Sequence, residues 1–335
     1  MTNSRLPYGV EDLDPTVVRH SDDPERIRCY VKECTHFVRR PTRSERGTVC
    51  PEHGIFCHCS NDSTTYSYAD VRRNLIASPD LFAKRVVGHP FKYESDRLNA
   101  ENSEDALSWN VFRSLHESGQ LAEVAHCVTG MAHAEQPRLY LWGLRVDDDS
   151  LEPWDLLIAA RNRFESALPV DRPLTEPDIA FHLPGKYLVL IEAKFTSENH
   201  LYRRGPRRDD QSLTLEELLN IYQDPSLQVL DHAHARRCDA IHYQLWRNMV
   251  FAEWMSLQDS PQTEARLVSL VRKAGVTDDA QVFGALLADG KSSHFRQITW
   301  EDIATKVVQH PSLLQRYLAN KTARLRKAFS MMIDP

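Results

Sequence analysis

The sequence lacks the features that would place a protein in a membrane, outside the cell or broadly along a nucleic acid. Its 335 residues contain no run of about 18 apolar residues, which excludes an ordinary transmembrane helix. Residues 1–24 are polar and acidic and have no signal-peptide core. The formal net charge is −6, so a nucleic-acid partner would have to be held by local basic patches. We expect a soluble, cytoplasmic protein that does not contact a membrane.

The sequence does contain enough apolar residues for a sizeable core. It is 41% apolar and 26% charged, which favours one large domain with a small appendage. We divide the chain into an N-terminal arm (1–24), a cysteine- and histidine-rich module (25–70), a helical linker (71–100), a core domain (101–305) and a C-terminal helix (306–335).

Five of the seven cysteines lie within residues 29–59. Without a secretory signal, this clustering favours metal ligands over disulfides, with small buried thiols as the alternative. Two short ligand pairs separated by a loop suit the tetrahedral coordination of Zn²⁺, and the role would be structural because so short a segment has little core. The predicted ligands are Cys29, Cys34, Cys50 and His53, with His36, Cys57, His58 and Cys59 as substitutes.

Two neighbouring apolar runs carry charge at one end. Pro177-Asp178 opens the first run, and Glu192-Ala193-Lys194 closes the second. The second run predicts a buried strand, on which the glutamate and the lysine share a face because they are two residues apart. Pro184-Gly185 between the runs predicts a tight turn that brings Asp178 towards this pair. Two carboxylates and a lysine at the end of a sheet predict a divalent-cation site.

Two long helices carry polar residues on otherwise apolar faces. Residues 101–118 predict a helix capped by Asn102 or Ser103, in which Glu104 extends the apolar stripe. This glutamate is either a first-turn acid favoured by the helix dipole or a ligand of the same cation. Residues 239–257 predict a second helix, on which a polar trio either borders a polar site or is solvated. The trio is Gln244, Arg247 and Asn248.

The other segments complete an α/β pattern. Strand character is predicted for residues 121–130, 139–146 and 265–271, and residues 298–303 predict a strand that enters a helix. Helical character is predicted for residues 154–164 and 313–329, and within 63–87 after a strand-like start.

Basic residues follow the Glu-x-Lys triplet. Four arginines beside a metal-carboxylate site would be able to hold a phosphate backbone, and a surface loop neutralised by neighbouring aspartates is the alternative. They are Arg203, Arg204, Arg207 and Arg208. The loop 39–47 is also basic, and there phosphate contact and simple solvation are equally supported.

The order of these elements resembles the PD-(D/E)xK nuclease superfamily. The likeness covers residues 101–302: a helix with Glu104, a strand opened by Pro177-Asp178, a strand closed by Glu192-Ala193-Lys194, and a helix with Tyr243-Gln244-Leu245-x-Arg247-Asn248. It implies a restriction-endonuclease-like α/β core, with a mixed central sheet flanked by helices. The zinc-ribbon-like module at residues 25–70 lies outside this likeness.

The resemblance implies a metal-dependent endonuclease that hydrolyses phosphodiester bonds in DNA, with RNA as the second choice. Asp178, Glu192 and Glu104 would bind Mg²⁺ or Mn²⁺, and Lys194 would position or deprotonate the attacking water. Gln244 and Arg247 would orient the strand end that carries Glu192 or contact a phosphate.

The biological setting is open. Restriction or phage defence rests on fold-level analogy, and a homodimer would supply the two active sites that cutting both strands requires. The alternative function is a catalytically silent nucleic-acid- or protein-binding member of the same fold, with the zinc module as its recognition unit.

Overall fold

The computed structural model describes most of the chain. The described residues are 25–29, 34–42, 45, 47–57, 67–92, 98–132, 134–147, 149–168, 174–205, 213–260, 262–273, 279–307, 312–319 and 321. The predicted N-terminal arm (1–24) and residues 322–335 of the predicted C-terminal helix lie outside them, and residues 313–319 are helical. Within this described part of the chain, no helix is long and apolar enough to span a membrane.

The chain forms two compact units. The first contains residues 1–89, 94–114 and 308–335, and the second contains residues 90–93 and 115–307. This division into two units is coarser than the five segments predicted from the sequence. The boundaries of those five segments remain predictions.

In addition to the helical residues 313–319, the described part of the first unit contains two small antiparallel ribbons, two α-helices and a 3₁₀ helix. The strands are β1 (Arg26–Arg28), β2 (Phe37–Arg39), β3 (Thr48–Val49) and β4 (Phe56–Cys57). β1 pairs with β2, and β3 pairs with β4. The helices are α1 (Pro79–Arg85), α2 (Glu104–Glu117) and a 3₁₀ helix at Val71–Asn74. Residues 115–117 of α2 belong to the second unit.

The prediction of a helix at residues 101–118 is confirmed by α2. The Ser103 hydroxyl accepts a hydrogen bond from the backbone N–H of Ala106 at 3.2 Å, which satisfies one of the unpaired donors at the helix start. Gly119 follows the helix with a φ of 71°. All residues from 106 to 113 are buried, so α2 is covered on every side rather than on one stripe.

The second unit is built on a seven-stranded sheet with the strand order β13-β12-β9-β8-β5-β6-β7. Its strands are β5 (Arg138–Leu141), β6 (Leu144–Val146), β7 (Leu151–Pro153), β8 (Ile179–Leu183), β9 (Tyr187–Ala193), β12 (Glu264–Val271) and β13 (Phe295–Thr299). β9, β12 and β13 run parallel, and the other neighbours are antiparallel. The sheet is therefore mixed, as predicted.

Helices cover this sheet. They are α3 (Leu121–Thr129), α4 (Asp155–Phe164), α5 (Leu215–Ile221), α6 (His232–Ala235), α7 (Tyr243–Asp259), α8 (Asp279–Gly284) and α9 (Trp300–Lys306). A two-stranded ribbon of β10 (Leu201–Arg203) and β11 (Ala240–His242) lies before α7. α7 packs on β9 and β12 and against α4. Every residue of β9 is buried, as expected of a central strand covered on both faces.

The prediction of a strand at residues 121–130 is wrong, because this segment forms α3. Its buried apolar residues follow the spacing i, i+3, i+4 and i+7, which places them on one helical face. They are Leu121, Val124, Ala125 and Val128. Gly130 ends the helix in the left-handed conformation, with a φ of 74°.

Residues 139–146 form two strands rather than one. β5 and β6 are joined at Trp142 and Gly143, which both have positive φ, 55° and 82°. Two such residues match a two-residue hairpin turn of type I′. A tryptophan is rarely left-handed, so this turn is difficult to predict from the sequence.

The predicted helix at residues 239–257 begins later than the sequence indicated. Ala240–His242 pairs with β10 instead of joining α7, so the helix begins at Tyr243 and not at residue 239. Residues 63–87 contain the short α1 and the 3₁₀ helix, while residues 63–66 lie outside the described part. The helix at 154–164, the strand at 265–271 and the strand-to-helix transition near 298–303 are confirmed by α4, β12, β13 and α9.

The β5–β6 turn offers a test of the fold. A Cβ atom built on Gly143 would lie 2.3 Å from Cδ2 of Leu157, a fully buried side chain. We expect Gly143→Ala to lower the free energy of unfolding by about 2–4 kcal/mol, because left-handed strain and overpacking both act. Urea denaturation measures the loss.

Gly185→Ala is the matched control. Gly185 has a similar φ of 70° but nothing within 4 Å of its virtual Cβ, so only the left-handed strain of about 1–2 kcal/mol applies. Equal losses for the two variants would contradict the packing described for Leu157.

Candidate active site

The β8–β9 hairpin joins the two charged motifs. Ile179 pairs with Ile191 in the antiparallel register, so the residues just beyond them, Asp178 and Glu192, come to the same end of the hairpin. The turn at Pro184-Gly185 lies at the opposite end, as predicted. Local strand pairing therefore brings together two carboxylates that are 14 positions apart in the sequence.

Asp178 is tied to the end of β9. Its Oδ2 accepts a hydrogen bond from the backbone N–H of Ala193 at 2.7 Å. Its carbonyl oxygen accepts a hydrogen bond from the N–H of Trp142 at 3.3 Å, in the β5–β6 turn. The aspartate is thereby fixed directly beside the triplet Glu192-Ala193-Lys194.

Glu192 and Lys194 form a buried ion pair, as their shared strand face predicted. Nζ of Lys194 donates to Oε1 of Glu192. The two residues are only 3% and 8% exposed. A charge removed from water to this degree is costly without a partner, and each side chain of the pair supplies that partner for the other.

Neighbouring strands and helices fix the backbone of this strand end. The N–H of Lys194 donates to the carbonyl of Leu270 in β12 at 2.7 Å. Its carbonyl accepts a hydrogen bond from Nε1 of Trp300 at 3.1 Å. Because the backbone of Lys194 is held on both sides, only the torsion angles of its side chain determine where its amine lies.

Asn248, a member of the polar trio to which the sequence assigned no specific role, contacts the site carboxylate directly. Its Nδ2 donates to Oε2 of Glu192 at 2.7 Å, and its side chain is fully buried on α7. Gln244 lies one turn earlier on the same side of the helix and is half-buried. The polar trio correctly indicated that α7 borders a polar site, but the sequence favoured Gln244 over Asn248.

Arg247 places a positive charge close to the site carboxylate. Its guanidinium lies 5.5 Å from the ring centre of Tyr243. Burial alone would lower the pKa of Arg247, but the neighbouring Tyr243, Tyr222, Glu165 and Glu192 outweigh this effect and raise it. Arg247 therefore stays charged; its contact with phosphate remains a prediction.

The remaining predicted site residues are Glu104 and the four arginines within residues 203–208. Glu104 is half-buried in the first compact unit, and its role as a ligand remains a prediction. Arg203 and Arg204 are exposed, and Arg204 pairs with Glu216 at 3.3 Å and donates to the carbonyl of Arg236 at 2.6 Å. Arg207 and Arg208 lie outside the described residues.

The donor atoms at the hairpin end fit Mg²⁺ or Mn²⁺. Carboxylate oxygens are the ligands that these hard cations prefer, and Mg²⁺ often takes only one or two carboxylates and completes its shell with water and substrate phosphate. Asp178 and Glu192 make such a two-carboxylate set. In the described part of the chain, a group of three or more ligands close enough for one ion occurs only in the cysteine cluster.

The predicted zinc ligands come together in the first unit. The ligand atoms of Cys29, Cys34, Cys50 and His53 all lie within 4.8 Å of one another. Sγ of Cys34 is 3.9 Å from Sγ of Cys50, and Nδ1 of His53 is 3.7 Å from Sγ of Cys29 and 3.8 Å from Sγ of Cys50. The distance between the sulfur atoms of Cys34 and Cys50 is much too long for a disulfide bond.

The geometry of this cluster fits Zn²⁺. A tetrahedron with Zn–S bonds of about 2.3 Å has edges of about 3.8 Å, close to the distances found. Burial raises the pKa of the Cys34 thiol to about 12, so its thiolate requires a cation nearby. Of the substitutes, His36 pairs with Glu52 at 3.3 Å and Cys57 lies outside the group, while His58 and Cys59 are not among the described residues.

Comparison with known families supports this description. Residues 166–321, slightly less than half of the chain, match the family described as "Restriction Endonuclease associating with ARP". This stretch contains Asp178, Glu192, Lys194 and Asn248. No curated protein and no solved structure matches the chain. The family match and the seven-stranded mixed sheet with flanking helices support a restriction-endonuclease-like core.

Proposed function

We propose that the protein is a metal-dependent endonuclease that hydrolyses phosphodiester bonds in DNA. The observation that carries the proposal is the convergence of Asp178, Glu192 and Lys194 at one end of the β8–β9 hairpin. Two carboxylates beside a lysine are the groups that metal-assisted phosphodiester hydrolysis requires. The name of the matching family, a restriction endonuclease, supports the same class of reaction.

Each site residue has a distinct role in this proposal. Asp178 and Glu192 would hold the cation, which when bound lowers the pKa of its water and neutralises charge on the phosphate. Lys194 lies within reach of the carboxylate that binds the cation, so its amine would position the attacking water or offset charge in the transition state. Asn248 fixes the orientation of Glu192, and Arg247 would add positive potential beside it.

We propose a structural zinc for the cysteine cluster. Four ligands with tetrahedral distances support it, as does the small apolar core around them, which contains few large side chains besides Ile27, Val38, Ile55 and Tyr68. Zinc binding would then supply much of the folding free energy of residues 25–57.

The proposed activity is tested with plasmid, linear duplex, single-stranded DNA and RNA, each incubated with Mg²⁺, Mn²⁺ or no added metal. We expect metal-dependent cleavage of DNA, with circular plasmid cut internally. Binding without cleavage of any substrate would instead favour the silent alternative, to which the engagement of both Glu192 oxygens by protein donors gives some support.

Asn248→Leu tests whether Asn248 positions Glu192, as distinct from stabilising the fold. The leucine keeps the approximate volume but removes the hydrogen bond to Glu192, and loss of a group that orients a metal ligand costs about 10–100-fold in metal affinity or activity. We expect a rate loss in this range that is partly recovered at high Mg²⁺, as measured by cleavage rates across a Mg²⁺ titration.

Two further amide-to-leucine changes on α7 serve as comparisons. Gln258→Leu alters an exposed residue and should leave the rate unchanged. Gln244→Leu should cost less than Asn248→Leu if Asn248 is the positioning residue. A larger loss from Gln244→Leu would contradict that assignment.

A further inference from the structure

The β1–β2 ribbon has one buried face and one exposed face with an unusual composition. Ile27 and Val38 pair across the ribbon and are buried in the core around the cysteines. Because strand side chains alternate between faces, the flanking residues point outward. They are Arg26 and Arg28 on β1, and Phe37 and Arg39 on β2.

These four side chains form a compact patch. Arg26 is directly opposite Arg39, and Arg28 is directly opposite Phe37. The guanidinium of Arg26 lies 5.7 Å from the centre of the Phe37 ring. Phe37 is 44% exposed, which is the highest value among the exposed large hydrophobic residues of the described chain. The patch therefore combines an accessible aromatic face with the two exposed arginines, Arg26 and Arg39. Arg28 is half-buried, and its Nε donates to the carbonyl of Cys34 at 2.9 Å.

The local charge of this segment is opposite to that of the whole protein. Residues 25–53 contain seven Lys or Arg against four Glu, whereas the chain has a net charge of −6. The existing partner of Arg39 is the exposed Glu45, at 2.6 Å, and such surface pairs contribute little. A phosphate could replace that carboxylate at small cost.

We propose that this face, the Arg26–Phe37 patch, binds single-stranded nucleic acid. Arginines on a sheet hold phosphates, and an exposed aromatic ring stacks on a base whose face is accessible. A base inside a duplex is covered by its neighbours, so Phe37 favours a single strand. The inference rests on the proposed function only in taking a nucleic acid as the partner. The patch belongs to the first compact unit, whereas Asp178, Glu192 and Lys194 belong to the second.

The test measures binding of a fluorescently labelled oligothymidine by the full-length chain. An Asp178→Asn background without added Mg²⁺ prevents cleavage, so binding is observed alone. Phe37→Ala should weaken single-strand binding by about 5-fold or more, since base stacking is worth about 1–3 kcal/mol. Phe37→Trp should retain binding.

The arginines are tested by salt dependence. Arg26→Ser/Arg39→Ser should lower the slope of log affinity against log salt by about 1.4, as expected for two lost contacts to single-stranded phosphates. The slope of Phe37→Ala should stay unchanged. Binding of inorganic polyphosphate, which has no bases, should depend on the arginines and be insensitive to Phe37.

Matched controls lie on α1 and just after it. Lys84→Ser/Arg85→Ser removes two exposed positive charges, and Val87→Ala removes a side chain that is 43% exposed. Both should bind as the parent does. The proposal is overturned if the controls lose as much affinity as the patch variants, if Phe37→Ala binds normally, or if it weakens duplex binding as much as single-strand binding. Zinc content and thermal melting confirm that each variant is folded.

The results separate this inference from the proposed function. A protein that binds single strands through the patch but cleaves no DNA would refute the nuclease and leave the patch intact. A protein that cleaves DNA normally after loss of Phe37 and both arginines, with single-strand affinity also unchanged, would refute the patch alone.

Discussion

Lys194→Ala should reduce the rate of DNA cleavage by at least about 10²-fold, the loss typical of removing one group that stabilises transition-state charge. The lysine amine donates directly to Glu192, and the backbone of Lys194 is held by hydrogen bonds to Leu270 of β12 and to the Trp300 side chain of α9. Single-turnover cleavage at saturating enzyme measures the effect, because it excludes changes in product release.

The alanine variant also leaves Glu192 buried without its counter-charge, which can cost about 3–5 kcal/mol. Loss of folding must therefore be distinguished from loss of chemistry. The double variant Glu192→Gln/Lys194→Gln removes both charges together, so its Tm should recover while its activity stays absent. Lys186→Ala, an exposed lysine in the turn of the same hairpin, should be fully active. Normal cleavage by Lys194→Ala would remove the lysine from the mechanism.

Cys50→Ser should remove zinc and unfold the cysteine module. Apparent binding free energies of structural zinc are about 10–16 kcal/mol in small zinc-binding peptides, so the loss of one thiolate exceeds what the small core of this module can compensate. Metal analysis should give about one zinc per chain in the parent protein and none in the variant. Limited proteolysis should then cut within residues 25–57 first.

Cys238→Ser provides the control, because this half-buried cysteine donates to the carbonyl of His234 at 3.5 Å and lies far along the chain from the cluster. It should retain zinc and resist proteolysis. A parent protein that is well folded without zinc would contradict the assignment of the cluster.

The sequence was most informative where function depends on local geometry. Glu192 and Lys194 share a face because strands alternate, and one turn at Pro184-Gly185 was enough to predict where Asp178 would lie. The four candidate zinc ligands were likewise recognisable from two short pairs. In each case the residues that matter are brought together by one hairpin or by two short ribbons.

Contacts between distant elements were harder to predict. Asn248 reaches Glu192 from a helix that starts about 50 residues later, and α7 is buried on so many sides that its apolar pattern does not identify the face that meets β9. Trp142 adopts a left-handed conformation that sequence propensity disfavours. Leu121 and its neighbours are apolar enough for a strand, and only their three- and four-residue spacing distinguishes the helix.

The central claim is that the end of the β8–β9 hairpin is a metal-dependent nuclease site. The most direct test compares the single-turnover cleavage of duplex DNA by the parent protein and by Asp178→Asn across a Mg²⁺ titration, with DNA affinity measured separately. The account predicts saturable, Mg²⁺-dependent cleavage by the parent and a loss of at least about 10³-fold in the variant, with DNA affinity within a few-fold. Equal cleavage by the two proteins, or tight DNA binding by the parent without any cleavage at all Mg²⁺ concentrations, would contradict it.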